Sequence, residues 1–574
     1  MPFKNSLSIF FVVITSVTVA LSLTIINRQL LPGKNDTYPQ MWKRVDSCES
    51  KGLTESALKI VSGIYERART ENNAQQFVKA VIYKMKFAQY KEEFSQEKNI
   101  NELAEEAAKA KFPVKPVLHS ILADAYWQYY QVNRWKFYNR SQTLNFDKND
   151  IATYDLKALV NAAVFNYRAS LRDSVLLKQT KINLFEEVIL PGTSSARLWR
   201  PTLYDFLAHR ALDFFKNSEA DVTKAANQFA VNQDDYLKPY PAFLKLSVPQ
   251  PQDSLDLAYY AVKLFQDLLS FQLKTNNQDG LADLEMERLE FTYANSKNQF
   301  RDSLYLETVK ATALRFQNSS RAGEIRHLEA LWWLSKSPEY KPLESDRYKW
   351  NRKKALAICN EIIKKYPRSR GAQMAANTVN NIRRKNLSLT AEQVNEPQQP
   401  NRVLIHYSNV TKVYFRLVKT DYFAYQKLMR RQYEKDFVSK ILALPTVQAF
   451  EQMLPEDPDF NPHAVETKVP PLEHGYYVLV ASDSPQFLAK ESVINFQLYI
   501  VSDLAYINKN KATGGYDFYV LHRQTGKPVK QATAQVLFNT YNYKNNAYEY
   551  SKGKSYTTDD NGHFELEGDD RNTN

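Results

Sequence analysis

The sequence predicts a multidomain chain: an all-α helical array in the N-terminal part, followed by all-β antiparallel sandwiches. Two observations carry this. Apolar residues before about position 390 recur at a spacing near 3.6, whereas those after about position 400 alternate with a period of 2, and no single element type serves both patterns. Seven of the fourteen glycines fall in the 174 residues after position 400, where turns between strands need them. Between the two patterns runs Thr390-Ala-Glu-Gln-Val-Asn-Glu-Pro-Gln-Gln-Pro-Asn401, polar and proline-bearing, read as a linker over 391–401.

Ser6 to Ile26 is 21 residues without a charge, between Lys4 and Arg28. That length can cross a bilayer, and a secretory signal needs less, so residues 1–30 are either a cleaved signal peptide or a retained membrane anchor. Both readings export the rest of the chain to the periplasm or outer envelope. No cysteine closely follows, which argues against a lipid anchor.

Residues 40–390 form the helical part. Leu53, Ala57, Val61, Ile64 and Ala68 line one face, Phe77, Val81, Met85 and Ala88 another, and polar Thr70-Glu-Asn-Asn73 joins them as an αα-hairpin. In Leu203 to Phe215 the residues Leu203, Phe206, Leu207, Ala211 and Phe214 share a stripe, with Pro201 placed in the first turn. Further on, Ala355, Ile358, Cys359 and Ile362 share a face, Lys364-Lys-Tyr-Pro367 stops the helix, and Ser369 caps the next. This last layout resembles a tetratricopeptide-type repeat, whose hairpins stack because none buries its face alone.

From Arg402 the pattern is strand: Val403–Ser408, Lys412–Lys419, Ala464–Val469, Gly475–Ala481 and Val493–Val501, with a helical insert near Tyr422–Leu444. We assign 402–504 to one sandwich. A second begins at 505–574 with Tyr516–His522, a turn at Gly526 and Pro528, and a hairpin closed by Asp560-Asn-Gly562. About 70 residues fall short of the roughly 100 a sandwich uses, so this domain is expected to be incomplete.

The chain of 574 residues implies about three to five domains. Its charge of +13 is mostly interleaved with acids and reads as a solubility and surface property, so no nucleic-acid partner is expected, with base stacking by Asn133–Arg140 as the alternative. The densest basic-aromatic stretch, Asn133-Arg-Trp-Lys-Phe-Tyr-Asn-Arg140, reads as an amphipathic helix that packs its rings and snorkels its cations. Two cysteines exclude a disulfide scaffold. Cys359 reads as a small buried hydrophobe and Cys48 as a free thiol, with a bridge between them as the alternative. No phosphate-binding loop, zinc-protease helix or nucleophile elbow occurs, and the eight histidines show no metal-ligand spacing. His209 beside its apolar stripe reads as structural. Glu186-Glu187 and Asp234-Asp235 read as solvated surface, because adjacent side chains point apart. No catalytic, cofactor or metal residue is assigned, and no cofactor is expected.

Asp503-Leu, Thr525-Gly-Lys-Pro-Val with Ala532, and Thr558-Asp-Asp-Asn-Gly-His-Phe564 resemble the start of a macroglobulin domain, of the MG2 type, in bacterial alpha-2-macroglobulin-like proteins. Pro471-Leu-Glu-His-Gly-Tyr-Tyr-Val478 and Val413-Tyr-Phe-Arg416 are similar to the macroglobulin domain ahead of it. The helical part, with Asn133-Arg-Trp-Lys-Phe-Tyr-Asn139 and Arg200-Pro-Thr-Leu-Tyr-Asp-Phe206, resembles the N-terminal extension of large members found in Bacteroidetes. The resemblance implies an exported endopeptidase inhibitor, in which a bait segment is cut, the protein closes on the protease, and a Cys-x-Glu-Gln thioester acylates it. Neither Cys48 nor Cys359 sits in that motif, so bait and thioester are expected outside this chain, which supplies scaffold. Its expected partners are endopeptidases, through those outside regions, and a cell-envelope protein on the helical part. The alternative is an exported helical-repeat binding or assembly protein with sandwiches as spacers.

Overall fold

The computed structural model describes residues 36–567 except 91–94, 138–146, 148–149, 191, 193, 221–228, 252–254, 430–435, 513 and 545. The signal or anchor expected over residues 1–30 lies outside the described residues. Among the described residues no helix is long and apolar enough to cross a membrane. An N-terminal helical array followed by β-sheets is what the structure shows. The chain divides into two units: one holds the residues up to Glu329 with Ile362–Met374, the other holds Ala330–Glu361 and everything from Ala375.

Helices of the first unit start where a polar side chain satisfies a free backbone N–H. Asn73 caps Ala74–Ala88 by accepting from the Gln76 amide at 3.2 Å, Asp155 caps Leu156–Ala169 through Ala158 at 2.7 Å, and Asp256 caps Leu257–Lys274 through Tyr259 at 3.2 Å. The predicted αα-hairpin forms: Thr54–Thr70 buries Ala57, Val61, Ile64 and Ala68, and Asn72 takes the left-handed turn at φ 54° before Ala74–Ala88. Leu53 stands outside this face, before the first helical residue. Pro201 likewise precedes the helix Leu203–Phe215, because Thr202 is its cap and not a first-turn residue.

Where Ala322–Lys336 meets Arg370–Arg383, Gly323 and Gly371 face each other. A Cβ on Gly371 would come within 2.6 Å of Gly323 Cα. Ser369 caps the second of these helices as expected, its Oγ accepting from the Ala372 amide at 3.0 Å.

In the second unit, strands β1 (Asn386–Ala391), β2 (Val394–Asn395), β3 (Asn401–Ser408), β4 (Lys412–Thr420), β5 (Thr446–Met453), β6 (His463–Val469), β7 (Gly475–Ser482) and β8 (Ile494–Val501) make two sheets. Their orders are β1-β3-β6 and β2-β8-β7-β4-β5, antiparallel except for the β2–β8 pair. Val403, Ile405, Val413, Phe415, Leu417, Leu479 and Val501 fill the space between them, each side chain pointing inward at every second position. Strand β7 is buried on both faces. Its other side, Val478 and Val480, packs with Val418, Phe437, Ile441 and Phe487, so the helical insert (Tyr422–Met429 and Phe437–Leu442) exists to cover an apolar outer face.

The structure corrects the boundary. Helix ends at Arg383, and β1 starts at Asn386, inside the stretch assigned to helices; it pairs with β3 from Asn386↔Ser408 to Ala391↔Val403. The predicted linker 391–401 is structured. It carries β2, and Asn401 closes its turn by donating from Nδ2 to the Glu396 carbonyl at 2.8 Å while accepting from the Glu396 amide at 3.2 Å. Proline and polar residues here mark a tight turn, not a flexible joint.

After β8 follow β9 (Leu504–Asn510), β10 (Gly515–His522), β11 (Thr533–Asn542), β12 (Ala547–Thr557) and β13 (His563–Glu567). They form a β13-β10-β9 sheet and a β11-β12 ribbon. The turn at Asp559–Gly562 is present, with the Gly562 amide donating to the Asp559 carbonyl at 3.0 Å, but it closes no hairpin. Strands β12 and β13 on either side of it belong to different sheets, so the turn carries the chain from one to the other.

Candidate functional site

The helix Leu203–Phe215 carries the histidine the sequence singles out. Its start is fixed by a reciprocal cap: Thr202 Oγ1 accepts from the Asp205 amide at 3.1 Å, and Asp205 Oδ2 accepts from the Thr202 amide at 3.0 Å. One turn on, His209 is buried and its Nδ1 lies 2.7 Å from the Asp205 carbonyl, which fixes Nδ1 as the protonated nitrogen. Nε2 is buried without a hydrogen-bond partner, 3.9 Å from Glu287 Oε2. Burial, then the charge of Arg200, pushes the imidazole down to about 4.

Around it runs a chain of charges, buried or half-buried except for Asp213. Arg200 pairs with Asp283 at 2.8 Å and lies 3.7 Å from Glu287; Arg321 bridges Asp283 and Glu324; Lys216 holds Glu287 and Asp213, the latter at 3.2 Å. A second, fully buried pair, Arg288 with Glu285 at 2.7 Å, lies on the same helix, Gln278–Asn295. Buried charges in such number also occur at catalytic sites, but here each acid already has a cation and the His209 imidazole is held neutral at neutral pH. The network joins helices.

A pH dependence follows. An unfolded chain protonates His209 near 6.5, whereas the folded protein resists to about 4. The unfolded state therefore binds the extra proton across that window, and stability present above pH 6.5 is lost as pH falls toward 4, by up to about 3 kcal/mol for this group. Denaturant unfolding at pH 7 and pH 4.5 checks it: His209→Gln is expected to lose less stability on acidification than the parent.

The remaining candidates have structural partners. Cys48 and Cys359 are both free and buried, so no bridge forms; burial raises both thiols, that of Cys359 to about 11, and leaves them poor nucleophiles. Glu187 accepts from Gln76 Nε2 at 2.8 Å, while Asp234 accepts from Asn298 Nδ2 at 2.6 Å and Asp235 pairs with Lys238 at 2.6 Å. The basic-aromatic stretch departs from its expected packing: Phe137 is buried against Tyr130 at 5.7 Å, but Trp135 is 71% exposed beneath Lys136. Residues 138–140 of that stretch lie outside the described residues.

On the stripe of Leu203, Phe206, Leu207 and Arg210, a cavity of about 380 Å³ opens, lined otherwise by Ser120 and apolar side chains such as Val117 and Phe185. His209 lies off that stripe.

Two of the resemblance-bearing stretches of the second unit, Thr525–Val529 with Ala532 and Thr558–Phe564, meet in one place. Thr558 Oγ1 donates to the Val529 carbonyl at 2.7 Å and accepts from the Ala532 amide at 2.8 Å, and the Thr558 amide donates to the Ala532 carbonyl at 2.9 Å. Gly526, at φ 67°, donates to His522, and the Val520 amide donates to Gly562 at 2.8 Å. A Cβ on Gly562 would strike the Val520 carbonyl, so this turn admits glycine alone. Upstream, the Arg523 amide reaches the Asp503 carbonyl at 2.6 Å.

The sequence reading missed one cluster. It tested spacing between histidines, whereas the structure gathers a single histidine, His463, with Asp457 and Asp459. The signal was the alternation in Asp457-Pro-Asp-Phe-Asn-Pro-His463.

No protein-family model matches the sequence, and no curated protein matches it. Solved structures similar to the chain include native alpha-2-macroglobulin from Escherichia coli spanning domains NIE-MG1, at 12% identity and TM-score 0.23, covering 32% of this chain and 88% of that one. The same protein spanning domains MG0-NIE-MG1 is similar at 14% identity and TM-score 0.23, covering 32% of this chain and 57% of that one. Likeness of this extent assigns the chain to no family.

Proposed function

We propose that this chain is the scaffold portion of an exported alpha-2-macroglobulin-like endopeptidase inhibitor, with the bait and the reactive thioester in regions outside it. The observation that supports the reading is the knot around Thr558. Val529 and Ala532, 29 and 26 residues from Thr558, lie with Thr558–Gly562 in the stretches that carry the family resemblance, and these stretches interlock there. Such a knot fixes how one β-sheet hands the chain to the next, which is the work of a scaffold. In this reading the chain is not an enzyme. The buried charges of the helical unit hold helices together, and the two buried thiols take no part in capture.

The test uses the complete protein and an endopeptidase in limiting amount. Trapping keeps the protease active on a short chromogenic peptide and removes its activity on a large protein substrate. Equal retention of both activities contradicts the reading. The cavity beside Phe206 favours a second reading, in which the helical unit recruits an envelope partner and the sandwiches act as spacers. Saturable binding of that unit to envelope components, with both protease activities retained, would select it.

A further inference from the structure

We propose that Asp457, Asp459 and His463 form a binding site for a borderline divalent cation of the Zn²⁺ or Mn²⁺ kind, which pins the loop between β5 and β6. The donor atoms of the three residues all lie within 4.8 Å of one another. His463 Nε2 is 2.9 Å from Asp459 Oδ1 and 3.8 Å from Asp457 Oδ2, so one cation can touch all three with small side-chain adjustments.

The pointer to a ligand is what the loop leaves unmade. Asp459 is fully buried, yet its Oδ2 has no hydrogen-bond partner. Asn461, 1% exposed, buries a second acceptor, Oδ1, that also lacks one, while its amide donates to Asp459 Oδ1 at 2.7 Å. A buried carboxylate oxygen without a donor is costly, and a cation held by Asp457, Asp459 and His463 would give Asp459 Oδ2 its missing partner.

The donor set selects the ion. One imidazole nitrogen with two carboxylates, and no thiolate, suits Zn²⁺ or Mn²⁺, whereas Ca²⁺ and Mg²⁺ prefer oxygen alone. The loop is already attached to the segment before helix Asn351–Lys365, since Asn461 Nδ2 donates to the Lys349 carbonyl at 2.8 Å. A cation there braces this segment against the sandwich.

The groups facing the cluster set its strength. Lys349 Nζ is 3.7 Å from Asp457 Oδ2, the Arg352 guanidinium feels the Asp459 charge, and Tyr340 and the Tyr407 ring stand beside them. Arg352 Nε and Asn351 Nδ2 are buried without acceptors. Lys349 competes with the metal for Asp457, so removing its charge strengthens a metal site and weakens a mere ion-pair network.

The test treats the full chain with a chelator and then titrates it with Zn²⁺ alone, Mn²⁺ alone and Ca²⁺ alone against a chromophoric competitor, with a thermal melt of each form. The expected result is uptake of a single Zn²⁺ or Mn²⁺ with a raised melting temperature, lost in His463→Gln, and tightened about tenfold in Lys349→Gln. Uptake by His463→Gln equal to the parent's, preference for Ca²⁺, or a Lys349→Gln variant that binds no tighter than the parent overturns the proposal. Lys349 is partly exposed, so its variant keeps the test decisive if His463→Gln fails to fold.

Discussion

Replacing Arg288 with alanine is expected to destabilise the helical unit by about 4 kcal/mol, because it strands a buried carboxylate. Arg288 and Glu285 are both fully buried, joined by Nε to Oε2 at 2.7 Å and Nη2 to Oε1 at 2.8 Å. The guanidinium also donates to the carbonyls of Tyr236 at 2.6 Å and Lys238 at 2.8 Å, and lies 4.7 Å over the Phe243 ring. One side chain therefore ties helix Gln278–Asn295 to the irregular stretch ahead of Tyr240. Removing it also leaves the buried Tyr236 carbonyl unpaired. The double variant Glu285→Leu/Arg288→Met is expected to recover part of the loss, since it deletes both charges. Recovery stays incomplete because the Tyr240 amide, now donating to Glu285 Oε1 at 2.9 Å, loses its acceptor. Urea unfolding of the three proteins checks the order: parent, then double variant, then Arg288→Ala.

Gly371→Ala should cost about 3 kcal/mol by overpacking. The added Cβ falls within 2.5 Å of the Glu324 amide nitrogen and 2.6 Å of Gly323 Cα, and these are backbone atoms that no rotamer change can move. The helices Ala322–Lys336 and Arg370–Arg383 would have to separate. Gly52→Ala serves as the comparison: it also places alanine at a glycine site, with φ 70°, but its Cβ meets nothing within 4 Å. Thermal melts should show the larger drop for Gly371→Ala, and equal drops would count against close packing as the cause.

What the sequence showed depended on whether a residue's burial followed its polarity. Strands β3, β4, β6 and β8 were legible because apolar side chains alternate, as in Val413, Phe415 and Leu417, and β7 because it is a short continuous apolar run between turn residues. Strand β5 was missed because the only large ring it turns inward is Phe450, which stacks on Phe415 at 4.5 Å. Strand β1 was missed because it follows the basic end of a helix within three residues, leaving no turn signal between them. Helix Gln278–Asn295 inverts the usual rule, since Asp283, Glu285, Arg288 and Thr292 lie on its buried side and a periodicity reading assigns such residues to water. Its charges can be recognised as internal only once their partners on other elements are in place. His209 and Cys359 were legible as structural because each sits among apolar neighbours at helical spacing, whereas Cys48, within polar Asp46-Ser-Cys-Glu-Ser50, was legible only as a free thiol. The Asp457–His463 cluster depends on a loop whose fold no local pattern specifies.

On the proposed function, this chain supplies scaffold while capture chemistry resides elsewhere. The most direct test of this claim is capture of an endopeptidase by the complete protein carrying Cys48→Ala and Cys359→Ala. Both thiols are buried and held protonated, so the variant is expected to retain the parent's capture, read as loss of large-substrate cleavage with small-peptide cleavage intact. Loss of capture at unchanged thermal stability would place a reactive group in this chain and contradict the claim.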